Sequence, residues 1–344
     1  MHPYALGYRF RPALVLLIMG LTGCASYIGE RMVRAPNLDH PTGIFNEELD
    51  EAWESHAARH FLVERARVDA PTDGIELQVG VLPSGDYPNR MEIERDGGSM
   101  SMGFHTGLPM GPPRTPSRGT IIAIHGWQGE HRAMFPHAME LAREGWDVVL
   151  YDQRGHGRSG GEIVTFGARE ARDLQTIIDW TRNREQYTPP LVLFGVSMGA
   201  SAALLAAADS QPDAVVAVAP YARLETALPG ALRHLAPFYI RPFLSEGRMD
   251  RALAHARDRA DLALNDAAPI SRAGDIHAPV LLIHGEADRL VPVEHARQLN
   301  RTLPDATLKI VDAPSHEALI LDRDAVLELA IPWLEQATSG QVRP

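Results

Sequence analysis

A chain of 344 residues has room for one large domain or two small ones, and 45% apolar residues suffice for a packed core. A formal net charge of −11 argues against nucleic acid as a partner. The single cysteine, Cys24, excludes an intramolecular disulfide, so the fold stands on its core alone.

Arg9 and Arg11 precede an apolar run from Ala13 to Leu21. A basic flank before a short apolar stretch is the layout of a secretory signal, and the run is short for a permanent spanning helix. Leu21-Thr22-Gly23-Cys24 follows and resembles the bacterial lipobox. The resemblance implies a lipoprotein signal peptide over 1–23, lipidation of Cys24 as the mature N-terminus, and an exported protein held at the membrane by that lipid. Ala25 after the cysteine implies the outer membrane, facing the periplasm. A plain secretory cut after Ala25 is the alternative, because Gly23-Cys24-Ala25 is also a small-x-small site.

Residues 24–60 read as a tether or an N-terminal arm, with a helix over 46–60. His56 and His60 share one face of that helix, but Ala57 stands where a zinc motif needs Glu, so a solvated face is expected. The main folded domain is expected over 61–338. Residues 75–79 alternate as a strand, and 91–94 and 99–104 read as further edge strands. Residues 107–118 are Gly/Pro-rich and read as a loop. Short apolar strands over 120–124, 146–151, 191–194, 214–219, 280–284 and 307–311 then alternate with helices over 131–144, 167–184, 198–208, 294–302 and 323–336. That alternation predicts an α/β fold with a mostly parallel central sheet covered on both faces. Over about 221–278 it stops. This stretch reads as a helical cap insertion, broken by Pro229, Pro237 and Pro242, over the carboxyl ends of the strands. Its arginines, among them Arg223, Arg251 and Arg259, interleave with acids such as Glu225 and Asp258 and read as a salt-laced surface.

Gly195-Val196-Ser197-Met198-Gly199 lies between an apolar strand and an Ala-rich helix. Those flanks give a weak pentapeptide its meaning: a serine on a sharp strand-to-helix turn, exposed above the sheet. A serine hydroxyl needs a base, and His316 lies on a loop after the last strand. An acid must orient that base, and Asp288 follows the strand at 280–284; Glu286 and Asp312 are its rivals. An oxyanion needs amide donors. Met198 supplies one, and Trp127, after His125-Gly126, the other, with Gln128 as the alternative. Gly155-x-Gly157-x-x-Gly160 imitates a dinucleotide fingerprint, but no helix starts at these glycines.

Five segments carry a family resemblance: His125-Gly126-Trp127, Asp152 to Ser159, Gly195 to Gly199, His284 to Asp288, and Ser315-His316. Their order and spacing resemble the α/β-hydrolase superfamily across 120–336, in its capped esterase, lysophospholipase-like and C–C hydrolase branches. The Gly-Gly run of hormone-sensitive-lipase-like esterases is missing. The resemblance implies a serine hydrolase acting on a small acyl substrate, with Ser197 as nucleophile, His316 as base and Asp288 as orienting acid. No metal and no organic cofactor is needed. Ester hydrolysis is the first expectation; peptide, thioester or C–C cleavage suits the same triad. A lipid-anchored binding protein on a retired scaffold is the alternative of another class.

Overall fold

The computed structural model describes residues 24–38, 64–87, 90–96, 99–105, 116–235 and 244–339. The signal segment 1–23, the helix expected over 46–60 and most of the loop expected over 107–118 lie outside the described residues. The strands are β1 (Glu64–Asp69), β2 (Glu76–Leu82), β3 (Arg90–Asp96), β4 (Ser99–His105), β5 (Gly119–Ile124), β6 (Trp146–Tyr151), β7 (Leu191–Val196), β8 (Ala214–Val218), β9 (Val280–Gly285) and β10 (Ala306–Val311). The helices are α1 (Cys24–Val33), α2 (Phe135–Arg143), α3 (Ala168–Arg182), α4 (Met198–Ser210), α5 (Leu224–Leu235), α6 (Glu246–Ala260), α7 (Glu294–Thr302), α8 (His316–Leu321) and α9 (Arg323–Thr338).

Eight strands form one sheet in the order β1-β2-β6-β5-β7-β8-β9-β10. The β1–β2 and β2–β6 pairs are antiparallel and the others parallel. The central strands are continuous apolar runs because helices cover both faces. Successive side chains point to opposite sides, so each strand feeds two cores. Ile121, Val148, Phe194 and Val216 pack with Phe135 and Leu141 of α2 and Leu327 and Leu334 of α9. Ile122, Val149, Leu193 and Val215 pack with Leu174 and Ile178 of α3 and Leu204 of α4. Each such side chain contributes about 1.5–3 kcal/mol when fully buried.

Two local expectations change. The strands at 91–94 and 99–104 are not edges of the central sheet: β3 and β4 pair with each other in a separate two-stranded sheet. Period-two alternation gives a strand but not its partner. Pro229 lies inside α5 rather than breaking it, at the loss of the one backbone bond its nitrogen would donate; Pro237 and Pro242 lie outside the described residues. The cap comprises α5, α6 and the short 3₁₀ turns that follow, inserted between β8 and β9. A third apolar cluster joins it to the body: Leu224, Leu228 and Ala252 of the cap pack with Phe166 and Met198.

His137 of α2 is a buried base with no hydrogen-bond partner for either ring nitrogen among the described residues, and its ring stands 5.8 Å from that of Phe194. Burial, helped by the Arg323 charge, pushes its pKa down to about 4. Its folded value lies below the unfolded value of about 6.5, so acid protonates the unfolded chain first. Between pH 7 and pH 5 this histidine alone costs about 2 kcal/mol of stability. His137→Leu has no proton to take up. It is expected to lose about 2 kcal/mol less than the parent over that interval, by urea unfolding at both pH values; equal losses contradict the assignment.

Candidate active site

From β5 the sheet grows in opposite directions, toward β6 on one side and β7 on the other. The crossovers therefore diverge and open a crevice at the carboxyl ends of β5 and β7. The parallel register sets Ile124 beside Gly195, so the two strands end level. His125-Gly126-Trp127-Gln128 enters the crevice from β5, and Ser197 enters it from β7.

Ser197 has φ 52° and ψ −117°, a strained conformation for a residue with a side chain. Such strain costs on the order of 1–3 kcal/mol and persists only where the surroundings impose it. Here they do. A Cβ on Gly195 would stand 2.5 Å from the Gly199 carbonyl oxygen, and one on Gly199 would run into the carbonyl oxygens of Ile124 and His125. Gly195 faces the first turn of α4, and Gly199 faces the end of β5, with no room to spare, so both positions need glycine. The Ser197 amide donates to the Val218 oxygen at 2.8 Å. Helix α4 begins at the next residue, with its positive end toward the serine.

The structure brings the three expected side chains together. His316 Nε2 lies 2.9 Å from Ser197 Oγ, and His316 Nδ1 lies 2.6 Å from Asp288 Oδ2. The other carboxylate oxygen of Asp288 accepts the amides of Leu290 (2.9 Å) and Val291 (2.8 Å). His284 Nε2 donates to the Val291 oxygen at 2.7 Å and stands 3.5 Å from Asp288 Oδ2. Burial opposes the charge of Asp288. Hydrogen bonds from His284 and His316, with the amide of Val291, outweigh it and hold the carboxyl well below the usual range. The rivals fall away: Glu286 pairs outward with Arg297 at 3.0 Å, and Asp312 is exposed. His316 is placed differently from expectation, as the first residue of α8 rather than on an open loop. Ser315 caps that helix by accepting the Ala318 amide.

The amides of Trp127 and Met198 have no acceptor among the described residues. Met198 opens α4, where a first-turn amide lacks a helical partner. The alternative donor, Gln128, is engaged: its amide donates to His156 Nε2 at 3.2 Å. His156 Nδ1–H in turn donates to the Arg154 oxygen at 2.8 Å. His125 is held the same way. Its Nδ1–H donates to the Gly126 oxygen (2.8 Å), and its Nε2 accepts the Gln153 amide (3.0 Å). Burial keeps both rings neutral, pulling His125 down to about 3 and His156 below its ordinary value. Two uncharged imidazoles thus tie the loop after β5 to the loop after β6. Sequence reasoning missed His156, because its partner is a backbone amide 28 positions away.

Asp152 anchors the second loop. Its carboxylate accepts the His131 amide (2.7 Å), His131 Nδ1–H (2.8 Å) and the Arg158 amide (3.0 Å). Arg154 reaches away from the crevice and grips Asp173 with two hydrogen bonds, at 2.6 and 2.8 Å. Donor atoms of Glu130, His131 and Asp152 lie within 4.8 Å of one another, near enough to hold a cation. Arg132 already sits on Glu130 at 2.6 Å, and His131 on Asp152, so the cluster is charge-compensated from within.

His156→Ala frees the Gln128 peptide without touching Ser197, His316 or Asp288. The expected result is a fall of about tenfold or more in kcat for an activated acyl substrate, with KM within about threefold, because a donor to a developing oxyanion matters most at the transition state. An unchanged kcat, or a change confined to KM, contradicts this positioning.

Comparison with known proteins bears on the family and the fold. The profile of the family described as serine aminopeptidase, S33, matches residues 115–269 and 263–324, more than half of the chain. The chain is 29% identical over 258 residues to a monoacylglycerol lipase of Mycolicibacterium smegmatis, covering 64% of this chain and 90% of that one. It is 30% identical over 199 residues to YqkD of Bacillus subtilis, covering 56% of this chain and 62% of YqkD, under two thirds of that protein's length. An esterase structure from Pyrococcus furiosus superposes with a TM-score of 0.55 at 19% identity, over 81% of this chain and 92% of that one, a likeness of fold. The chain belongs to the serine aminopeptidase S33 family and has the α/β-hydrolase fold.

Proposed function

We propose that this enzyme hydrolyses carboxylic esters through an acyl-enzyme on Ser197. One observation carries the reading: the hydrogen-bond chain Asp288–His316–Ser197 ends beside two amides with no acceptor among the described residues. Ser197 Oγ attacks the acyl carbon while His316 Nε2 takes its proton. The amides of Trp127 and Met198 receive the charge that develops on the carbonyl oxygen. His316 returns the proton to the leaving alcohol, then activates the water that releases the acid. Asp288 holds the ring in the required tautomer and stabilises the imidazolium. No step calls on a metal or an organic cofactor. The Mycolicibacterium relative's name, monoacylglycerol lipase, supports an ester over an amide. The family's description as an aminopeptidase favours a second reading, amide hydrolysis by the same groups.

The proposed setting is a lipoprotein anchored through Cys24 on the periplasmic side of an outer membrane. The Leu21-Thr22-Gly23-Cys24 segment supports it. No described helix is long and apolar enough to cross a membrane.

A fluorophosphonate probe applied to fractions of expressing cells tests site and setting together. The parent is expected to label in the membrane fraction and to hydrolyse p-nitrophenyl butyrate. Cys24→Ser is expected to label equally but in the soluble fraction. Ser197→Ala is expected to stay unlabelled, with kcat lower by about 10⁴-fold or more. Equal turnover by Ser197→Ala sinks the nucleophile assignment, and membrane retention of Cys24→Ser sinks the anchor. Turnover of alanine p-nitroanilide but of no ester selects the amide reading.

A further inference from the structure

Helix α1 lies directly on cap helix α6. At the contact stands Gly29: a Cβ there would run into the Ala252 carbonyl oxygen and come within 3.0 Å of Ala256 N. Glu30 pairs with Arg259 at 3.1 Å across the same contact. One turn on, Met32 and Val33 are each 2% exposed and belong to the apolar cluster that contains Met198, the neighbour of the serine, with Phe166 and Leu228.

The chain then changes partners and fastens to the catalytic body. The Val164 amide donates to the Val33 oxygen (2.7 Å), and the Ala35 amide to the Glu162 oxygen (2.9 Å). Asn37 donates its backbone amide to the Gly155 oxygen (3.2 Å) and its side-chain Nδ2 to the Ser159 oxygen (2.9 Å). The receiving loop is the one that carries His156. Residues 24–38 therefore hold the cap at one end and the loop behind the oxyanion amides at the other.

We propose that residues 24–38 form a strap that sets the cap's position above Ser197, that Gly29 is a specificity-determining position, and that the substrates so selected are long-chain acyl esters. The inference rests on the ester reading above. An acetyl group needs only the serine and the two amides. A long acyl chain must also bury its methylenes against the apolar cap, where each is worth roughly a fourfold gain in binding. Displacing the strap moves that wall and leaves the triad in place.

The test is Gly29→Leu in the full chain, with kcat/KM measured for p-nitrophenyl acetate and p-nitrophenyl laurate under the same detergent conditions. The acetate value is expected within about threefold of the parent's, and the laurate value at least about tenfold lower, mostly through KM. If Gly29→Leu does not fold, Met32→Ala, which keeps the helix contact and trims the wall, is expected to lower the laurate-to-acetate ratio by about threefold. An unchanged ratio, or equal loss on both esters, overturns the strap. A parent inactive on both esters overturns the ester reading itself, and the strap's selectivity with it.

Discussion

A serine held at φ 52° and ψ −117° is the constraint from which the rest of this site follows. That backbone is tolerable only because a fully buried strand enters it and a buried helix leaves it. The packing of β7 and α4 offsets strain on the order of 1–3 kcal/mol. The same turn brings α4 so close to the end of β5 that Gly199 has no room for a side chain, and so close to the end of β7 that Gly195 has none either. Closeness to β5 sets the loop after that strand beside Ser197, with Gly126 in contact with it. The positions of Ser197 and of the loop that carries Trp127 are thus consequences of one packing arrangement.

The polar groups around the turn are arranged so that charge is kept where it acts. Asp288 is buried yet ionised, because Leu290, Val291 and His316 donate hydrogen bonds to it and His284 stands close by. His125 and His156 are buried and neutral, each with its tautomer fixed by one bond given and one received. A protonated ring at either position would lose its acceptor nitrogen and release a backbone amide that shapes the oxyanion loop. Arg154 carries its charge outward to Asp173 and Asp73. The loop after β6 is therefore a rigid buttress, and the N-terminal segment presses on its outer side through Asn37 and Ala35.

The central sheet and the triad were legible because both rest on local signals. Strands buried on two faces are short apolar runs, and Gly195-to-Gly199 names its own strand–turn–helix context. His316 and Asp288 could be picked from chain order, each following a strand. What was not legible depends on pairing between distant segments. The self-paired hairpin of β3 and β4, the seat of His316 at a helix start, the bond from Gln128 to His156, and the docking of α1 on α6 at Gly29 leave no periodic trace. A glycine in a ten-residue helix reads as a weak helix former until the carbonyl of Ala252 is found against it.

In the proposed mechanism Ser197 carries the acyl group between two chemical steps. The direct measurement is mass spectrometry of protein quenched in acid within milliseconds of mixing with excess p-nitrophenyl butyrate. One butyryl group per molecule is expected, on the peptide that contains Ser197 and decaying in step with turnover. Turnover with the peptide unmodified, or with the acyl group on another residue, would contradict it.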